Sequence, residues 1–175
     1  MSMNSAFIAE LKSEGASTRK ILERVPTEKN DWKPHEKSMK LGRLSTHVAE
    51  LPGWTSMIMN SDELNFANMD YKPMTDPTKE ELLELHDSKL SGAVSALENA
   101  SDEEFDKMWT MRNGEQIIMT LPKKVVLRTM CFNHMVHHRG QLSVFLRLLD
   151  VPIPGMYGPS ADERVMPVAK DPVAG

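Results

Sequence analysis

His134 and His138 stand four residues apart in the stretch Asn133-His134-Met135-Val136-His137-His138-Arg139-Gly140-Gln141-Leu142, inside the strongest helical pattern of the chain. A helix stacks residues at that spacing one turn apart on a single face. At about 100° per residue, Leu127, Met130, Cys131, Gln141, Phe145, Leu148 and Leu149 fall within about 80° of His134. Arg128, Thr129, Arg139, Ser143 and Arg147 lie opposite. The pattern drives two imidazoles toward an apolar interior, where an unpaired polar ring is costly. The chain must therefore fold so that core partners or an ion meet them. Two imidazole nitrogens one turn apart can converge on one metal ion, as in the helical His-x-x-x-His motifs of zinc enzymes.

Three further segments carry helical periodicity. The first, over about residues 4–25, lines up Phe7, Leu11, Thr18, Leu22 and Val25 and stops at Pro26. A loop with Trp32-Lys33-Pro34-His35 follows, in which Trp32 pins the loop to the helices and His35 is solvated. The second helix, over about 41–59, places His47, Leu51, Trp54 and Ile58 within about 40° of one another, with a kink at Pro52-Gly53. A third histidine thus points inward from a different helix. The connection 60–77 is polar and reads as exposed. Thr78 starts the next helix, whose stripe of Leu82, Leu83, His86, Leu90, Ala93, Val94 and Leu97 makes His86 a hydrogen-bonded core histidine.

Alternation on both sides of Asn113-Gly114 predicts a hairpin over 108–119, with a two-residue turn that sets Arg112 opposite Glu115 and Trp109 opposite Ile118. Its Trp109 face rests on the helices. Pro122 opens the last helix. After Asp150 the pattern lapses into an extended tail packed near Tyr157. The expected fold is all-α: a four-helix bundle with a small β-hairpin between helices 3 and 4, as one domain over 1–165 with a flexible tail over 166–175.

Net charge is −4 and no basic run stands out, which argues against nucleic acid and anionic membrane as partners. No apolar stretch approaches the roughly 20 residues of a membrane span, and the N-terminal residues lack a signal-peptide pattern. One cysteine and no possible internal disulfide fit the cytoplasm. Fourteen methionines and an apolar-rich hairpin imply more apolar surface than one bundle covers, hence a homodimer.

For His47, His134 and His138 two readings stand. They hydrogen-bond to one another, to Gln141, to Glu50 or to water, or they hold a divalent metal. Three neutral nitrogens plus an open position form the pattern of a catalytic rather than a structural site. Cys131, on the same face, reads as a small buried hydrophobe. Glu50, one turn after His47, is the candidate to orient a ligand or accept a proton, against the plainer reading of a surface glutamate.

The Trp32-Lys33-Pro34 segment, Leu44-Ser45-Thr46-His47-Val48-Ala49-Glu50, the block His134-x-x-x-His138-Arg139-Gly140-Gln141-Leu142 and the tail Tyr157-Gly158-Pro159-Ser160-Ala161-Asp162-Glu163 resemble the DinB (DinB/YfiT-like, damage-inducible) superfamily. The resemblance covers nearly the whole chain. It implies a minor mirror variant of the up-and-down four-helix bundle, often a dimer. It also implies that His47, His134 and His138 carry a divalent metal, nickel or zinc. Some members of that family are metal-dependent transferases using low-molecular-weight thiols such as bacillithiol or mycothiol. The functional expectation is a metal-dependent thiol transferase or hydrolase; the alternative is a non-catalytic metal-containing stress-response or binding module.

Overall fold

Helix α1 (Met3–Leu22) buries Phe7, Leu11, Thr18 and Leu22, as its period predicts, and Ile21 besides. The computed structural model describes residues 2–163; the tail expected over 166–175 lies outside the described residues. Gly15, weak on helix propensity, sits in the buried stripe because Leu90 of helix α4 (Lys79–Glu98) crosses it. A Cβ on Gly15 would lie 2.6 Å from Leu90 Cδ2. Helix α4 begins at a capping box: the Thr78 hydroxyl accepts from the Glu81 N–H, and the Glu81 carboxylate accepts from the Thr78 N–H.

The expected second helix is present as two. Helix α2 (Leu41–Glu50) and helix α3 (Gly53–Asn60) are separated at Leu51-Pro52. Pro52 has no N–H to give the helical ladder, while Leu51 and Pro52 themselves keep helical dihedrals, so the run is interrupted without changing direction of winding. Trp32 meets Phe145 edge-on at 5.5 Å between ring centroids, fastening its loop as expected.

The last helical run has no break but changes pitch. Helix α5 (Lys123–Val126) leads into a π-helical stretch, Leu127–Asn133, and then helix α6 (His134–Leu148). Three positions on it depart from the wheel, the exposed Gln141 among them. Leu148 is 58% exposed, whereas Arg139, expected on the solvent side, is 2% exposed. Its guanidinium bonds the Glu14 carboxylate at 2.5 Å, the Thr18 hydroxyl at 3.1 Å and the Tyr157 hydroxyl at 2.5 Å. The helix is covered on two sides, by α2 and by α1 with the tail. A single apolar stripe cannot register a charge that is buried because it is paired.

The β-structure also departs from a lone hairpin. Strands β2 (Met108–Asn113) and β3 (Gln116–Pro122) are antiparallel, and β1 (Glu63–Asn65) adds to β2 in parallel, giving a three-stranded mixed sheet in the order β1-β2-β3. Three residues in a polar connection carry no periodic signal, so the sequence pattern there predicts only exposed loop. The hairpin register differs too. The turn is Gly114-Glu115, with Gly114 at φ 58°, so Asn113 faces Gln116, and a bulge at Met111/Arg112 sets Arg112 opposite Ile117 and Trp109 opposite Leu121. Glycine takes the left-handed first turn position at less cost than asparagine, and the bulge shifts the remainder. Trp109 is fully buried, as expected, with its indole N–H donating to the Ser61 hydroxyl.

The chain is thus mostly helical with a small sheet at one end, and its buried residues form two clusters. One joins Phe7, Leu11, Phe105, Trp109, Leu127, Cys131 and Phe132 beneath the sheet. The other joins Ile21, Leu22, Leu41, Leu44, Leu82, Leu142 and Phe145. Each fully buried Leu or Phe contributes roughly 1.5–3 kcal/mol. Among the described residues, no helix is long and apolar enough to cross a membrane.

Candidate metal centre

Helix α2 supplies His47 and helix α6 supplies His134 and His138, and the three rings meet. One ligand atom from each lies within 4.8 Å of the others. Nε2 of His134 is 3.3 Å from Nε2 of His47 and 2.9 Å from Nε2 of His138. His138 is buried and the other two are half-buried. In chain order the pair falls between Cys131, of the cluster under the sheet, and Leu142, of the other cluster.

The outward nitrogens explain how the rings are held. Nδ1 of His138 lies 2.7 Å from the Gln141 amide oxygen, and Nδ1 of His134 lies 3.3 Å from the Met130 carbonyl. Both acceptors require a proton on Nδ1, so in the neutral rings both Nε2 atoms present bare lone pairs to each other. Lone pairs at 2.9 Å repel unless a cation or proton lies between them. Burial pushes the His138 imidazole down to about 4, with His47, His134 and His137 adding to the effect against the Gln141 bond. Burial also lowers His134, assisted by His47. Both rings are neutral near pH 7, the state in which imidazole ligates a metal. The donor set therefore fits a divalent cation, and the Gln141 and Met130 acceptors are the kind of outer support that orients metal-binding histidines.

Glu50 stands beside this cluster, its Oε2 4.0 Å from Nδ1 of His47. The Tyr71 hydroxyl donates to Glu50 Oε2 at 2.7 Å, and Arg43 approaches the same oxygen at 3.4 Å. Burial alone would raise the Glu50 carboxyl, but nearby His47, the Tyr71 hydrogen bond and the Arg43 charge outweigh it and hold the group below its ordinary value. Burial and the Glu50 contact push the Tyr71 phenol up to about 12. Arg43, His47 and Glu50 line a cleft of about 490 Å³ with Tyr71 and Lys89. Its apolar walls include Trp54, Met57, Leu64, Phe66 and Met69.

The remaining candidates lie elsewhere. His86 is fully buried, with Nε2 3.1 Å from the Gly15 carbonyl, the core histidine its stripe implies. Cys131 is buried with Sγ 3.0 Å from the Thr55 hydroxyl, and burial pushes its thiol up to about 11, so it stays protonated. His137 is exposed and packs edge-on against the His138 ring, and His35 is exposed in its loop. Sequence reasoning missed Arg43 and Tyr71. Arg43 shares the α2 face of His47 and Glu50 at spacings of four and three, a signal that was legible. Tyr71 comes from an aperiodic connection and gave none.

Comparison with known proteins bears on the fold. The chain is 24% identical over 161 residues to the uncharacterized protein YrdA of Bacillus subtilis (strain 168), an alignment covering 90% of this chain and 89% of that protein. A DinB-like protein from Bacillus cereus ATCC 10987 superposes with a TM-score of 0.67 at 21% identity, over 87% of this chain and 97% of that one. A second, YjoA from Bacillus subtilis, gives 0.64 at 20% identity, over 90% and 98%. Residues 1–166 match the DinB family, and the chain belongs to it.

Proposed function

We propose that His47, His134 and His138 hold one divalent metal ion, zinc or nickel, and that the protein is a metal-dependent enzyme acting on a thiol or a hydrolysable substrate. The observation that carries this is the trio of Nε2 atoms turned toward one another while Nδ1 of His134 and of His138 is engaged by an acceptor. Three imidazoles suit zinc and nickel by ligand type. A bound divalent ion supplies Lewis acidity, lowering the pKa of a water or low-molecular-weight thiol that it binds. Glu50, oriented beside His47 by the Tyr71 hydroxyl, would be the group to take up a proton there, and the cleft would admit the substrate beside His47.

A non-catalytic metal-containing module is the second reading. It is favoured by the fact that His47 alone of the three histidines lines the cleft. The helical runs support the finer reading of an antiparallel four-helix bundle in the family's mirror topology. The single buried thiol supports a cytoplasmic setting, which cell fractionation tests. Exposed Ile117, Ile118, Val144 and Leu148 support a homodimer, for which light scattering at micromolar concentration returns about twice 19.8 kDa; a monomer mass sinks that part.

The test of the metal is elemental analysis of protein purified without chelator or polyhistidine tag. About one divalent ion per chain is expected. Full occupancy in a His134→Ala/His138→Ala variant overturns the assignment.

A further inference from the structure

We propose that the cleft beside His47 takes an amphipathic monoanion, with its anionic head paired to Lys89 and its apolar body along Trp54, Met57 and Phe66. This rests on the reading of the cleft as the access to the histidine site and names the class of molecule that enters it.

Charge decides the sign of the ligand. The cleft holds two fixed cations and one acid besides the histidine. Arg43 is already engaged with Glu50 and with the Tyr71 hydroxyl, at 3.4 and 3.3 Å. Lys89 makes no ion pair or hydrogen bond among the described residues, so its ammonium is the unneutralised charge. Its stem is seated rather than free: Lys89 Cδ lies 2.8 Å from where a Cβ on Gly53 would sit, so the stem occupies the space a larger residue would take.

Surface character decides the body. Phe66 and Met69 are 40% and 42% exposed, and with Trp54 and Met57 they give the cleft apolar walls that water wets poorly. A volume of about 490 Å³ is in the range of small-molecule sites. Glu50 then sets the direction. The Glu50 carboxylate stands at the His47 end of the cleft and Lys89 is the cation left without a partner, so the ligand's one anionic group goes to Lys89 and its uncharged end faces the histidines.

The test uses decanoate as probe, titrated calorimetrically into the full-length chain, with decyltrimethylammonium and acetate as controls. Decanoate is expected to bind at one site per chain, and both controls to bind far more weakly. Lys89 is exposed, so Lys89→Gln leaves the fold intact; it is expected to weaken decanoate about tenfold. Equal binding of the two amphiphiles, no binding of decanoate, or no effect of Lys89→Gln overturns the inference. A dimer mass with decanoate excluded assigns the walls to a second copy and overturns it as well. The titration is repeated on the His134→Ala/His138→Ala variant, and metal content is measured on both proteins. Lys89-dependent binding in a protein that never holds metal sinks the metal reading alone. A metal-bearing protein indifferent to decanoate sinks this inference alone.

Discussion

Tyr71, in the connection between β1 and α4, donates its hydroxyl hydrogen to Glu50 of α2 across 2.7 Å. A residue from an irregular segment thereby fixes the acid nearest the histidine cluster. If Glu50 takes a proton during turnover, Glu50→Gln keeps the metal but lowers kcat by ~100-fold or more. Tyr71→Phe, which only frees the carboxylate to move, gives a smaller loss. Unchanged turnover in Glu50→Gln, measured on metal-loaded protein with a panel of thiols and electrophiles, returns Glu50 to a structural role.

Gln141 sits outside the cluster, yet its amide oxygen fixes the tautomer and tilt of His138. Gln141→Leu is expected to weaken metal affinity by roughly 10–100-fold while leaving all three imidazoles in place. Competition against a chromophoric chelator measures this. An affinity within twofold of the parent chain contradicts the orienting role.

The neutral imidazoles make stability depend on pH in the metal-free protein. His138 falls from 6.5 to about 4 on folding and His134 is also lowered, so below pH 6.5 the unfolded chain binds more protons. The contribution is full above about pH 6.5, declines as the pH drops toward 4, and is flat below that. For His138 the span corresponds to on the order of 3 kcal/mol. Urea melts at pH 7, 5.5 and 4.5 read the slope, and His138→Gln is expected to reduce it. Metal release occupies the same window, because protons and the ion compete for the same nitrogens.

Arg139 and Glu14 form an ion pair with side chains 2% and 13% exposed. Arg139→Met leaves the Glu14 carboxylate with no cation, only the Tyr157 hydroxyl that already donates to it at 2.8 Å, and takes the guanidinium from the buried Thr18 hydroxyl, at a cost of about 3 kcal/mol. Adding Glu14→Gln to that variant recovers part of it. Chemical denaturation checks both; a loss below about 1 kcal/mol for Arg139→Met contradicts the account.

The histidine cluster was legible because each imidazole lies on a strongly periodic face: His47 with Leu51 and Ile58, His134 with Cys131. Helix α4 was legible for the same reason, reinforced by the Thr78–Glu81 cap. The failures share a different cause. Strand β1 exists because β2 offers it an edge, and neither side of that pairing leaves a pattern in three residues. The hairpin register was set by a bulge and by Gly114, where Asn-Gly suggested a different turn centre. Arg139 is buried because Glu14 lies across from it, a fact about two distant helices and not about either one.

The π-helical stretch Leu127–Asn133 lets one continuous rod hold two rotational settings. Ahead of it and within it, Val126, Leu127, Cys131 and Phe132 address the cluster under the sheet, as does Met135 just past it; farther on, Leu142, Phe145 and Leu146 address the other. A wider turn takes up one residue's worth of rotation without interrupting the backbone ladder. His134 and His138 emerge just where the new setting begins. Removing one residue between Val126 and His134 closes the wide turn into an ordinary one and leaves both imidazoles facing His47, whereas a residue removed between His134 and His138 turns the two rings about 100° apart. The wide turn is therefore what lets an extra residue stand in the run without turning His134 and His138 away from His47.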